Sequence, residues 1–437
     1  MRDLSKIPAY AGMIENHMLD IKFIRENVEL VKQNTSNRRV EVDIDKLLAL
    51  DEERRGLIAK IDETRGELKK GSKKKPSEEE INQLRQLGDN ILKLEQELKM
   101  VEDRYLNILM QVPNLTHSGS PIGGEEDFAV LGKNFEPKNF DFKPKDHEQL
   151  MLDLDLVDFE RGAKVAEAKF YFLKNEAVAL SQALLAYGID VVKKHGFTLV
   201  ETPDVAKNEI LSGIGFNPRG PESQVYSIEN TDLSLIGTAE ITMGGYHANE
   251  ILDLSKGPVK YVALSHCFRT EAGAYGRTSK GLYRVHQFTK LEMFVYCKPE
   301  DSEKLHSELL EIEKEIVDGL EIPYQVIDTP SGDLGGPAFR KFDIEAWMTM
   351  KGSKDSQGGY GEITSTSNCT DYQARRLNIK YRKEDGSTAL VNTLNGTAIV
   401  TSRFPLALIE NHQQADGSIK IPKALQKYTG FEEIKIN

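Results

Sequence analysis

From Leu47 to Ile108 the apolar residues keep a spacing that leaves the chain little choice of fold. Leu47, Leu50, Leu57, Ile61 and Leu68 alternate steps of three and four, with Arg54 and Thr64 as weak members. Leu84, Leu87, Ile91, Leu94, Leu98, Val101, Tyr105 and Ile108 keep that alternation without a gap. This is the a/d seam of a helix packed on a helix, with a period of about 3.5 residues. The surrounding residues are the good helix formers Leu, Glu, Lys, Gln and Arg. The seam breaks once, at KKGSKKKPSEEE, residues 69–80. Gly71 and Pro76 punctuate that break, and Ser77 followed by Glu80 spells a capping box for the second helix. Two helices of similar length on a short turn predict an antiparallel hairpin arm over about residues 45–111.

Such an arm serves either as a spacer or dimerisation rod, or as an arm that meets a partner. Lys69, Lys70, Lys73, Lys74 and Lys75 crowd its tip, where they suit a phosphate backbone or simply a solvated turn. The chain as a whole has a formal net charge of -12, which excludes a generally basic nucleic-acid binder and confines any such contact to a local patch. Three cysteines, Cys267, Cys297 and Cys369, are too few and too scattered for a disulfide framework or a Cys-x-x-Cys metal site. No structural zinc is expected, and a reducing cytoplasm fits. No apolar run approaches the roughly 20 residues that span a bilayer, and the first residues lack the apolar core of a secretory signal. Met18 offers an alternative start, with residues 1–17 as an N-terminal extension.

After VPNLTHSGSPIGG the texture changes. Residues 18–124 then read as an N-terminal domain with arm and linker, and 125–437 as a second domain. Helical stretches are expected near 163–194 and 301–319. Strands are expected near 197–202, 259–268, 281–296, 324–327, 339–347, 360–366 and 388–395. Several neighbours are joined by turns and not by helical crossovers. The fold class is therefore α+β, a mainly antiparallel sheet flanked by helices plus the two-helix coiled-coil arm. The P-loop pattern GxxxxGK[ST] is missing from the sequence, so any use of ATP requires another architecture.

Charged residues sit inside FRTEAGAYGRTSKGLYRVHQFTKLEMF, residues 268–294. In a strand alternate residues share a face, which puts Arg269 with Glu271, and Arg284 with His286, Phe288, Lys290 and Glu292. Burying such charges unpaired is costly, so this face is wet or holds a charged ligand. Planar guanidiniums suit phosphate oxygens, and residues 272–280 have the composition of a flap. YGEITSTSNCTDYQARR offers Glu362 with hydroxyl oxygens, which suit Mg²⁺ carried by a nucleotide. TLNGTAIVTSRFPLALIEN reads as an Asn395-Gly396 turn before an apolar helix that carries Arg403 near its start. A cation there opposes the helix dipole unless it faces an anion. Trp347, His266, His286, Cys267 and Cys369 read as structural.

Taken together these segments resemble the class II aminoacyl-tRNA synthetases, specifically the bacterial-type seryl-tRNA synthetase family, from about Met18 to the C-terminus. HGFTLVETPDV resembles motif 1 with Pro203 at its proline. The 268–294 stretch is similar to motif 2, and LNGTAIVTSRFPLALIEN to motif 3. LIGTAE and EITSTSNCTDYQARR resemble the family's serine- and metal-binding segments. The resemblance implies a homodimeric, cytoplasmic ATP-dependent ligase that joins L-serine to tRNA(Ser), with tRNA(Sec) left open. It implies that Arg269, Arg284 and Arg403 carry catalysis. Thr238, Glu240, Arg269, Glu292, Asn395 and Thr397 would bind serine. Arg269, Glu271, Arg284, Val285, Glu362, Ile363, Thr364, Ser365 and Arg403 would bind ATP, with Glu362 and Ser365 on Mg²⁺. The helical arm would reach tRNA. Three departures stand out: Gly237 where a proline is common, Ser402 and Phe404 flanking Arg403, and a somewhat short arm. Two rivals remain: a ligase loading an amino acid onto a carrier protein, which would lack the arm and use Cys/His metal ligands, and a non-catalytic paralogue, which would have lost site residues.

Overall fold

The computed structural model describes residues 19–71, 77–216, 224–271 and 280–435. The expected extension 1–17, the tip residues Lys73, Lys74 and Lys75, and nearly all of the expected flap lie outside the described residues. The chain divides into two compact units at Leu115/Thr116.

The first unit opens with two short helices, Ile21–Glu26 and Val28–Asn37. The arm follows as α1 (Ile44–Gly71) and α2 (Glu78–Leu109). Ser77 and Glu80 form the capping box in full. Ion pairs Arg65–Glu95 at 2.7 Å and Arg54–Glu102 at 3.5 Å run in opposite order along the two helices, which are therefore antiparallel. Leu47, Leu50, Leu57, Ile61, Ile91, Val101 and Tyr105 are buried, whereas Leu68, Leu84, Leu87, Leu94 and Leu98 are only half-buried. The gradient has a simple cause. Ile24 and Val31 of the short helices pack on the same cluster as Leu47, Leu50, Tyr105 and Leu109 at the root, while farther out, among the described residues, each helix packs on the other. Arg54 is a stronger member of the seam than its charge suggests. Its guanidinium lies 5.3 Å from the Tyr105 ring centre, beside buried Asp51.

The second unit is built on an eight-stranded sheet. In chain order its strands are β1 (Ala129–Lys133), β2 (Thr198–Glu201), β3 (Val259–Phe268), β4 (Gln287–Cys297), β5 (Tyr324–Asp328), β6 (Arg340–Met348), β7 (Gly359–Thr370) and β8 (Asn392–Val400). Across the sheet the order is β1-β5-β6-β7-β8-β4-β3-β2. Every pairing is antiparallel except β2 with β3. One face is covered by α4 (Glu176–Lys194), α6 (Ser302–Gly319) and α8 (Phe404–His412), with α3 (His147–Asp153) packed on α8. On β4, Leu291, Met293 and Val295 join that core, while Phe294 and Tyr296 join a smaller one on the opposite face with α5 (Ala239–Gly245) and α7 (Tyr372–Leu377). The helix α4 approaches so closely that a Cβ on Gly188 would fall 2.6 Å from Ile399 and 3.2 Å from Leu291. Among the described residues no helix is long and apolar enough to cross a membrane.

Several expectations shift. The helix expected over 163–194 is two helices, Phe159–Ala166 and Glu176–Lys194, split by the short strand Phe172–Leu173. The strand expected from Gly281 starts at Gln287, so Arg284 and His286 precede it. Gly281 takes φ +54°, which ends extended backbone there. The Asn395-Gly396 pair is no turn, because β8 runs straight through it. Glycine is needed there for space: a Cβ would lie 2.9 Å from Glu313 Oε1 of α6 and 3.2 Å from Thr366 Oγ1.

Candidate active site

Because β4 and β8 lie mid-sheet, polar side chains on them are enclosed unless they face a cavity. Glu292 is buried on β4, opposite Thr397 of β8. It is ion-paired with Lys290 and accepts a hydrogen bond from Thr238 Oγ1 at 3.4 Å. Lys290 Nζ also donates to Thr238 Oγ1 at 3.3 Å. Thr238 is the N-cap of α5, which presents buried Glu240 to the same pocket. Glu240 Oε1 accepts from Gln373 Nε2 at 2.7 Å and from Asn395 Nδ2 at 3.0 Å. Gln373 is itself held by Thr393 Oγ1 at 2.7 Å. Burial, reinforced by the Glu292 charge, pushes Glu240 up to about 7. This buried cluster thus sets two carboxylates against one lysine, with donors fixing each, a chemistry that suits an ammonium group and a hydroxyl.

Lys290 also lines an open cleft beside this pocket, walled by Arg269, Arg284, Arg403 and Glu362. Arg269 follows β3. Its Nε donates to the Gly237 carbonyl at 3.1 Å, and its guanidinium lies 5.2 Å from the Phe288 ring centre. Gly237, the departure from the family wording, therefore orients a cleft arginine through its backbone. Arg284 Nη1 bonds Glu271 Oε2 at 2.8 Å, while its buried Nε has no partner among the described residues. Arg403 is the N-cap of α8, and Nη1 bonds Glu362 Oε1 at 3.1 Å. The unfavourable cation at a helix start thus does face an anion. Burial opposes the Glu362 charge, but Arg403, then Lys341 and Arg269, outweigh it and hold the group down at about 2.

A bulge arranges the Glu362–Ser365 run. On β7, Thr364 pairs with Ile344 and Glu362 with Glu345, so Ile363 is the extra residue. Glu362 and Ser365 then share a face despite a spacing of three. Ile363 is packed into the core, and Thr364 Oγ1 donates to the Thr397 carbonyl. Among the described residues no three His, Cys, Asp or Glu side chains gather as a metal cage. A carboxylate held ionised beside one hydroxyl fits a cation whose remaining ligands come from phosphates and water.

The description "Seryl-tRNA synthetase N-terminal domain" matches residues 18–116, and "tRNA synthetase class II core domain (G, H, P, S and T)" matches residues 224–412. A serine–tRNA ligase of Treponema denticola is 54% identical over 95% of this chain and 100% of its own length. The chain belongs to the seryl-tRNA synthetase family. A second family member, from Dictyoglomus turgidum, is 51% identical over 96% of this chain and 99% of its own length. The seryl-tRNA synthetase of Pyrococcus horikoshii, solved with ATP, superimposes with a TM-score of 0.86 at 39% identity, over 96% of this chain and 100% of that one.

The structure brings Arg269, Glu271, Arg284, Val285, Glu362, Ile363, Thr364, Ser365, Thr397 and Arg403 to one cleft. Thr238, Glu240, Glu292 and Asn395 meet in the pocket beside it. Pro203 lies apart, exposed after β2. Lys69 and Lys70 are exposed at the end of α1. Sequence reading gave no role to Lys290, Gln373, Phe288 or Tyr283. Lys290 carried a usable signal, since a lysine two residues before a strand glutamate shares its face. Gln373 carried none, because its contact with Glu240 exists only in the tertiary fold.

Proposed function

We propose that the chain activates L-serine with ATP to seryl-adenylate and transfers the seryl group to tRNA(Ser). The observation that carries this is the junction of a buried cluster of Thr238, Glu240, Glu292 and Asn395 with a three-arginine cleft that Lys290 also lines. The relatives do not favour a carrier-protein ligase or a non-catalytic paralogue.

Thr238 and Glu240 would hold the serine ammonium, and Glu292 and Thr397 would read the hydroxyl, with Asn395 close by. A pocket whose polar groups need that hydroxyl rejects alanine. Arg269, fixed by Gly237 and Phe288, would bind the serine carboxylate and the α-phosphate. Glu271 would accept from the adenine amino group, with Val285 lining the ring. Arg284 and Arg403 would leave their carboxylate partners for the terminal phosphates. A serine carboxylate oxygen attacks the α-phosphorus, the bond to pyrophosphate breaks, and no side chain acts as nucleophile. Positioned cations supply the transition-state stabilisation. Glu362 and Ser365 would hold Mg²⁺, which neutralises phosphate charge when bound. The terminal ribose hydroxyl of tRNA then attacks the seryl carbonyl, and AMP leaves. The arm would contact the tRNA body by shape and backbone. We further propose a cytoplasmic homodimer paired through the segment around Pro203, with tRNA(Sec) a candidate second substrate.

The test is exchange of labelled pyrophosphate into ATP with serine, and with alanine, threonine and glycine as controls, tRNA omitted. Exchange with serine alone is expected. A folded protein that binds ATP but exchanges with no amino acid would sink the proposal.

A further inference from the structure

His147 lies outside every segment assigned a role above, yet it is completely buried. It is the first residue of α3, capped by Asp146 through the Gln149 N–H at 3.0 Å. Its backbone N–H and its Nδ1 both reach Glu410 Oε1, at 2.8 and 2.7 Å. The other oxygen of Glu410 accepts from Thr349 Oγ1 and the Met350 N–H, both at 3.0 Å. Glu410 is thus an acceptor on all sides, so Nδ1 carries the proton and Nε2 is left as an acceptor. The Leu282 N–H donates into Nε2 at 3.1 Å.

Two neighbouring contacts reinforce this one. Gly281 sits at φ +54°, and a Cβ there would fall 2.2 Å from His147 Nε2, so the backbone rests directly on the ring edge. Lys280 forms an ion pair with Asp146. Residues 280–282 are therefore clamped to 146–147, and through Glu410 to α8, the helix that Arg403 caps. Directly after the clamp come Tyr283, Arg284 and Val285, all in the cleft wall. Tyr283 donates to the Glu362 carbonyl at 3.3 Å and lies 5.0 Å beneath the Arg403 guanidinium.

We propose that Asp146 and His147 form a latch that sets the height of the Tyr283–Val285 segment in the cleft, and so act as positioning residues for ATP and not for serine. This rests on the reading of the cleft as the nucleotide site. The latch is a two-ended device. One end of the imidazole is a donor that anchors it to the core, and the other is an acceptor that holds the cleft wall.

Those two ends can be separated in the full-length protein. His147→Gln places an amide oxygen where Nε2 accepts, and His147→Asn places an amide N–H where Nδ1 donates. ATP affinity is read by calorimetric titration, and the serine KM by pyrophosphate exchange. His147→Asn is expected to weaken ATP about tenfold, the size of one buried hydrogen bond. His147→Gln should recover most of that loss, and the serine KM should stay unchanged in both. Asp146→Asn keeps the helix cap but loses the ion pair, and should weaken ATP about two- to fivefold. Equal ATP affinities for the Asn and Gln variants, or parallel losses for ATP and serine, overturn the latch. If both His147 variants fail to fold by circular dichroism, unchanged ATP affinity in Asp146→Asn overturns it. A wild type that binds ATP without exchanging serine defeats the ligase reading, while the titrations still decide the latch. A wild type that does not bind ATP defeats both.

Discussion

Gly396→Ala tests whether the sheet is fitted to the serine pocket from behind. Gly396 lies between Asn395 and Thr397, whose side chains face the pocket, and its own missing side chain points to α6. An added Cβ would stand 2.9 Å from Glu313 Oε1, 3.2 Å from Thr366 Oγ1 and 3.3 Å from Met293 Cε. Ordinary contact begins near 3.4 Å, so Glu313 must retreat by about half an ångström (3.4 less 2.9). Neither Glu313 oxygen makes a hydrogen bond of ordinary length among the described residues, with the Thr364 hydroxyl close by, and burial pushes its carboxyl well above the usual carboxylate range. Overpacking of this kind costs about 1–3 kcal/mol, and a carboxyl enclosed between helix and strand has little room to yield. We expect a loss of about 2 kcal/mol in urea unfolding and a raised serine KM, with ATP affinity much less affected. Glu313→Ala in the same chain should relieve the clash, giving a coupling above about 0.5 kcal/mol in a double-mutant cycle. A Gly396→Ala protein as stable as wild type, or strictly additive costs, would refute this reasoning.

Three further predictions follow from the same geometry. Glu240 binds its proton more tightly when folded, at about 7 against an ordinary 4.5. Its contribution to stability is therefore fully present below pH 4.5 and is lost as pH rises through 7. The rise in Tm given by saturating serine, followed by calorimetry, should grow across that window. Arg403→Met should lower kcat in pyrophosphate exchange by about 10²–10³-fold, as loss of one preorganised charge donor does, and Arg403→Lys should recover little because the planar fork is gone. Asp51→Ala removes the buried carboxylate shared by Arg25, Arg54 and Arg55, while Arg54 keeps Glu102 and the other two stay partly exposed. The loss is therefore that of charged hydrogen bonds and sits at the low end for a buried pair. The substitution should cost about 3 kcal/mol in the first unit, measured by thermal unfolding, and leave exchange intact.

The arm was legible because its signals are local: a seam, a break and a capping box all sit within a few residues of what they control. Strand β3 was legible to its ends, since Val259–Phe268 follows the Gly257-Pro258 pair and stops where the charged residues Arg269 and Glu271 begin. Strand β8 was not, because Asn-Gly is the strongest short hairpin signal, and here the glycine answers to a glutamate on a helix about eighty residues earlier. Arg284 was placed on a strand for a similar reason: alternation is visible in sequence, and the His147 contact that ends it is not. The charged site residues stood out because charge inside an apolar run has no cheap structural explanation. The groups that hold them, the Gln373 amide that donates to Glu240 and the Gly237 carbonyl that accepts from Arg269, acquire their meaning from position in the fold.

The decline in burial along the two arm helices has a mechanical consequence. The helices span about 40 and 50 Å at 1.5 Å per residue, gripped at the root by a third packing layer and farther out, among the described residues, by each other. Such an arm is a cantilever, clamped at Leu47 and Tyr105 and compliant at Leu68 and Leu84. Amide exchange should quicken steadily from root to end. A load met by the outer turns would then bend the arm there, while the turns packed on the two short helices stay straight.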